Sequence, residues 1–308
     1  MSTPEPEAAV PAVVPVCYRH PSRETYIRCN RCERPICPDC MTNAAVGFQC
    51  PECVAEGAAS VPRERSRLGV IVPTKPYVTY VIIALCVAGF GYQQIVGANE
   101  VAADLAMRPA YIAVFDQYYR LVTSMFLHYG LLHIGFNMLV LWMLGPQIES
   151  VIGHVRFAVL YLVAGVGGSV ASFWFSDVNT AAAGASGAIF GLMGAYLIVG
   201  RHLGADVTQV LGLIGINVVI GFVIPNTDWR AHLGGLATGV LVALVLVHAP
   251  KRHQVIAQVA GVTAIVAALV LVVLVRDQQI TQLVIDQLGG LPVAAAPVGS
   301  SVLQATLQ

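Results

Sequence analysis

From Tyr77 onward the chain is a series of apolar runs of membrane length separated by short polar connections. A helix needs about 20 mostly apolar residues to cross bilayer hydrocarbon. Seven stretches fit that pattern: 77–97, 130–150, 156–175, 185–201, 207–224, 231–249 and 255–275. The longest connection, 98–129, contains VFDQYYRLVTSMFL, whose mixed character predicts a segment lying at the interface rather than crossing. Ahead of the runs the pattern is polar, and residues 1–76 carry half of the 17 basic and 17 acidic residues of the chain. Five parts follow: a disordered N-terminus (1–16), a cysteine-rich module (17–54), a basic linker (55–76), a seven-span membrane domain (77–275) and a flexible tail (276–308).

Composition narrows the function classes. Only 11% of the 308 residues are charged and 56% are hydrophobic, against roughly 25% charged in soluble proteins, which excludes a single soluble globule. A net charge of zero offers no basic surface for nucleic acid. The first 17 residues, MSTPEPEAAVPAVVPVC, lack the basic and apolar regions of a signal peptide, so the N-terminus is expected in the cytoplasm. With alternating spans, Arg63, Arg65, Arg67, Lys75, Arg156, Arg201, Lys251 and Arg252 then lie inside, and Arg108, Arg120, Arg230 and Arg276 outside. That bias agrees with a multi-pass protein of the cell membrane whose C-terminus is extracytoplasmic.

Seven of the eight cysteines fall between Cys17 and Cys53. They form, with one histidine, four pairs of identical spacing: Cys17-x2-His20, Cys29-x2-Cys32, Cys37-x2-Cys40 and Cys50-x2-Cys53. A two-residue spacing turns both ligands toward one ion, and eight ligands suffice for two tetrahedral structural zinc ions. So short a segment cannot build a core that folds unaided, so metal binding supplies the folding energy. The filled ligand count leaves no open position for metal catalysis.

Polar side chains at membrane depth mark function by default. His128, His133 and Asn137 begin the second span, Ser186 begins the fourth within Gly184-Ala185-Ser186-Gly187, and His232 begins the sixth within Ala231-His232-Leu233-Gly234-Gly235. Alternation sends all three spans in the same direction, so these residues share one depth near the outer leaflet. A serine hydroxyl becomes a nucleophile when an imidazole takes its proton, and the oxyanion that forms needs fixed donors. His133 and Asn137, four residues apart, share a helix face, and Ser186 at a helix start offers its own N–H. Gly187 with Gly191, and Gly235 with Gly239, give two small-residue faces on which helices can touch. Taken singly, each feature also reads as packing: Gly-x-Ser-Gly as a helix contact, His133 and Asn137 as interhelical bridges, and His232 as a packed ring beside Asp228.

Taken together, residues 77–275 resemble the rhomboid family of intramembrane serine proteases. The resemblance rests on Tyr119-Arg120, His128-x4-His133-x3-Asn137, Gly145-x3-Glu149-x3-Gly153, the Gly184 to Gly187 motif and Ala231-His232-x2-Gly235-x3-Gly239. It implies an all-α polytopic membrane protein with a six-helix core plus a seventh C-terminal helix. Ser186 would be the nucleophile, His232 the base of a dyad without aspartate, and Asn137, His133 and the Ser186 N–H the oxyanion hole. Arg120 and Glu149 would be structural, and Phe190 would stand where the family often has a tyrosine stacked on the histidine. The N-terminal module resembles a treble-clef, RING or B-box zinc finger, which implies interleaved pairing of the four ligand pairs. The expected activity is endoproteolysis of transmembrane protein substrates within the lipid bilayer, with no catalytic cofactor and a cytosolic protein partner for the finger. The alternative is a non-proteolytic adaptor that binds transmembrane helices and recruits cytosolic partners through the finger.

Overall fold

The computed structural model describes residues 14–60, 66, 68–70, 72–73, 75–223 and 227–287. Expectations for 1–13, for the linker cations Arg63, Arg65 and Arg67, and for 288–308 lie outside the described residues. The chain divides into two compact units, Met1–Glu64 and Arg65–Gln308.

In the first unit the buried apolar positions are Ile36 and six of the cysteines. Turns carry the ligand pairs, closed by backbone bonds such as His20 N–H to Cys17 C=O (3.1 Å) and Cys40 N–H to Cys37 C=O (2.9 Å). An antiparallel hairpin, β1 (Thr42–Asn43) and β2 (Phe48–Gln49), pairs Thr42 with Gln49 and turns through Gly47 at φ 67°. Helix α1 spans Pro51–Ser60, with proline and an acidic residue where a first turn favours them. Residues 55–60, expected as linker, are therefore helical.

The second unit is helical. Helix α2 (Tyr77–Val96) is followed by three short helices, α3 (Ala98–Leu105), α4 (Pro109–Phe115) and α5 (Arg120–Thr123). None of the three is long enough to cross a bilayer, as expected for 98–129. Then come α6 (Leu131–Ile152), α7 (His154–Phe175), α8 (Ser186–Leu203), α9 (Thr208–Val223), α10 (Trp229–His248) and α11 (Gln254–Gln287). Among the described residues five helices have the length and apolarity of membrane spans: α2, α6, α7, α10 and the one containing α11. The protein is thus a polytopic all-α membrane protein. Helix α9 is apolar but shorter, and α8, 18 residues long, falls short in apolarity.

Helix α8 has protein around most of its circumference, burying eleven residues from Gly187 to Gly200. Its approach to α10 is so close that a Cβ on Gly235 would lie 2.6 Å from the Gly187 carbonyl carbon, and one on Gly239 would meet Gly191 backbone. Dispersion at such contacts holds membrane helices together where lipid removes the hydrophobic drive.

Two charged side chains fasten connections to this bundle. Fully buried Glu149 of α6 accepts from Val78 N–H (3.0 Å), Thr79 N–H (2.9 Å) and Thr79 Oγ1 (2.6 Å), so it caps α2, and it also pairs with His154. Arg120, 2% exposed, donates through Nη1 to Ala106 C=O (2.8 Å), Nη2 to Ala103 C=O (2.8 Å) and Nε to Gln117 Oε1 (2.6 Å).

Residues 276–287 were expected in a flexible tail, but α11 continues through them. The cause is apolar spacing hidden among glutamines: Val273 and Ile280, two turns apart, bury against Ile112 and Ala113 of α4, and Val284 is buried one turn further on. Thr281 Oγ1 also donates to Ala113 C=O (3.3 Å). Burial, with Asp277 beside it, pushes the Tyr118 phenol up to about 12.

Candidate active site

Helices α6, α8 and α10 begin at one end of the bundle, and their first turns converge. Gly184, at φ 144°, precedes α8 and donates its N–H to Ser124 C=O (2.9 Å). A Cβ there would sit 2.9 Å from His133 Cε1, so both the backbone angle and the close approach call for glycine. Two residues on, Ser186 opens α8, where its N–H has no partner within the helix.

Ser186 Oγ lies 2.9 Å from Nε2 of His232, which is 9% exposed in the first turn of α10. Phe190, one turn beyond Ser186, stacks on the imidazole with ring centroids 4.3 Å apart and planes inclined by 11°. Nδ1 of His232 is buried without a hydrogen-bond partner among the described residues. An imidazole accepting the serine proton at Nε2 carries its own proton at Nδ1, so that N–H faces its surroundings unpaired.

His133 is turned by its neighbours. Its Nδ1 accepts from Tyr129 N–H (3.3 Å), its ring stacks on Tyr129 at 6.0 Å, and His128 meets it edge-on at 5.2 Å. This leaves Nε2 as the donor, on the side of Gly184. Asn137 sits one turn further along α6 and donates one amide hydrogen to His133 C=O (2.9 Å), which leaves the second for another acceptor. His128 is buried with neither ring nitrogen bonded, while its N–H donates to Gln93 Oε1 (2.9 Å). All five polar residues singled out in the sequence, His128, His133, Asn137, Ser186 and His232, thus lie at this end, with Ser186 and His232 in direct contact.

Sequence reasoning gave Asp228 no role of its own. Its Oδ1 caps α10 by accepting from Ala231 N–H (3.1 Å), and its Oδ2 accepts from Ser172 Oγ of α7. An aspartate three residues ahead of a periodic apolar run is a helix-start signal that could have found it. Gln93 and Ser172 carried no such signal.

In the first unit the structure gathers Cys17, His20, Cys37 and Cys40 into one group and Cys29, Cys32, Cys50 and Cys53 into another, ligand atoms in each within 4.8 Å of one another. Edges include Cys32 Sγ to Cys50 Sγ at 3.7 Å and His20 Nδ1 to Cys37 Sγ at 3.3 Å. A tetrahedron with Zn–S near 2.3 Å and Zn–N near 2.0 Å has edges of about 3.5–3.8 Å, so both groups fit zinc. Backbone N–H groups of Cys50 and Cys53 donate to Cys29 Sγ (3.2 Å) and Cys50 Sγ (3.3 Å). Arg34 donates to Cys32 Sγ (3.2 Å) and pairs with Glu52, contacts that hold its guanidinium above its ordinary pKa.

A rhomboid domain family model matches residues 116–249, the stretch that contains this whole convergence. The chain is also 30% identical to the putative rhomboid protease YdcA of Bacillus subtilis over 142 residues, covering 71% of that protein and 44% of this one. The chain belongs to the rhomboid family. Rhomboid protease GluP of Bacillus subtilis is 38% identical over 183 residues, 56% of this chain and 35% of GluP. Rhomboid-type serine protease 2 of Emericella nidulans is 33% identical over 144 residues, 44% of this chain and 28% of that rhomboid. The chain thus spans about a third of the length of the first curated rhomboids it matches.

Proposed function

We propose that the protein is an intramembrane serine endopeptidase that cleaves transmembrane segments of other membrane proteins. One observation carries the reading: Ser186 Oγ and His232 Nε2 stand 2.9 Å apart at the helix starts of a membrane bundle. His232 Nε2 takes the hydroxyl proton as Oγ attacks the scissile carbonyl. The negative oxygen that forms is met by the Ser186 N–H, by Nε2–H of His133 and by the free amide hydrogen of Asn137. As the C–N bond breaks, His232 returns the proton to the leaving amine, and water then hydrolyses the acyl-serine with His232 again as base. No metal or cofactor takes part in these steps.

The positive flanks support a cytoplasmic N-terminus, which sets the dyad toward the extracytoplasmic side. The two ligand groups would each hold one structural zinc, whose binding supplies folding energy to a unit with almost no apolar core. Such a finger would recruit a cytosolic protein, while the membrane domain meets its substrates in the bilayer.

Ser186→Ala in the full chain tests the proposal. Cleavage of a transmembrane reporter in proteoliposomes is expected to vanish with expression and melting temperature unchanged. Wild-type cleavage by that variant would refute the nucleophile.

A further inference from the structure

The imidazole of His232 has few fixed contacts of its own. Phe190 covers one face, and a Cβ on Gly221 of α9 would come within 3.7 Å of Nδ1, which makes no hydrogen bond among the described residues. The aim of the ring is therefore inherited from the first turn of α10, and Asp228 fastens that turn. Its Oδ1 accepts from Ala231 N–H (3.1 Å), its main-chain carbonyl accepts from His232 N–H (3.2 Å), and its Oδ2 accepts from Ser172 Oγ (2.5 Å). Ser172 is fully buried on α7 and lies 3.3 Å from Ser176 Oγ. A single side chain thus joins the cap of α10, the turn bearing the base and the neighbouring helix.

We infer that Asp228 is a positioning residue for the proposed base. It sets the phase of the turn that aims Nε2 at Ser186, and its negative charge, four residues from the ring, favours the imidazolium that arises when the serine proton moves. The inference rests on the proposed dyad. A carboxylate need not touch an imidazole to act on it, because Coulomb interactions at membrane depth are weakly screened. Other groups around the pair are few in kind. His133 of α6 acts on the ring, Tyr129 ahead of α6 interacts with the carboxylate and is itself faced by Arg108, α7 presents the neutral Ser172 and Ser176, α8 presents Ser186 and Phe190, and α9 presents Gly221.

Asp228→Asn separates charge from cap, because asparagine caps a helix as well as aspartate does. The full chain in proteoliposomes is assayed for kcat and KM on a transmembrane reporter across pH, with thermal melting measured in parallel. Asp228→Asn is expected to melt as the wild type does and to lose about tenfold in kcat at unchanged KM. Its acid limb should shift, because the charge beside the turn that carries the ring is removed. Ser172→Ala keeps both charge and cap but frees the carboxylate from α7, so kcat should fall while the acid limb stays. An unshifted limb in Asp228→Asn, or an unchanged kcat in Ser172→Ala, overturns the inference and leaves Asp228 a helix cap alone. Ser186→Ala run alongside tells this failure from failure of the dyad itself: cleavage by that variant removes the dyad whatever Asp228 does.

Discussion

The close approach of α8 and α10 makes a quantitative claim about Gly235. An alanine Cβ at that position would lie 2.6 Å from the Gly187 carbonyl carbon, with the carbonyl oxygen nearer still, and the atoms in the way are backbone. Ordinary contact begins near 3.4 Å, so the helices must part by about 1 Å, since packed interiors have no slack to absorb the methyl group. Gly187 adjoins Ser186, and Gly235 lies one turn from His232. The 2.9 Å between Oγ and Nε2 therefore opens toward about 4 Å, beyond hydrogen-bond reach. Overpacking of this kind costs about 1–3 kcal/mol of stability, and a 1 Å misplacement of reacting groups costs about 100-fold in rate. Reporter cleavage and thermal melting measured together on Gly235→Ala read both effects. Gly91→Ala on α2 is the control, because a Cβ there meets open space, and it should leave both unchanged. Wild-type rate and melting in Gly235→Ala would refute the argument that glycine contact sets the dyad distance.

The full chain should contain about two zinc ions by elemental analysis, and chelation should expose the 17–53 segment to protease while the membrane helices stay protected; a chain free of metal that resists protease there would contradict the ligand assignment. Glu149→Ala should lower the melting point by the equivalent of about 3 kcal/mol, because the N–H groups of Val78 and Thr79 lose their buried acceptor. Glu149→Gln keeps an acceptor oxygen and should lose less, and equal melting of the alanine variant and the wild type would deny the cap its role.

What could be read from the sequence depended on how far each signal travels along the chain. The proposed zinc ligands were legible because identical two-residue spacings recur, although spacing left the pairing open, and only the folded unit brings Cys17 to Cys37 and Cys29 to Cys50. Ser186, His232, His133 and Asn137 were legible because alternating spans place every second helix start at one end. The distance between Ser186 and His232 was not, since it depends on which helices touch. The Asp228 to Ser172 contact joins residues 56 positions apart, and nothing local marks Ser172 as its donor. Helix α11 misled for a different reason: Gln278, Gln279 and Gln282 read as a loose tail, while Ile280 and Val284 between them supply the apolar spacing that keeps the helix going against α4.

Helix α8 has a consequence for how the protein is made. Clad by neighbouring helices, it answers to packing rather than to lipid, which lets its sequence carry Ser186, glycines and Arg201 within 18 residues. The same latitude weakens it as an independent passenger of the insertion machinery, which judges each segment by its own partitioning into lipid. The helix that carries Ser186 would then enter the bilayer in the company of α7 or α10, and the proposed nucleophile would reach its place only as the bundle assembles around it.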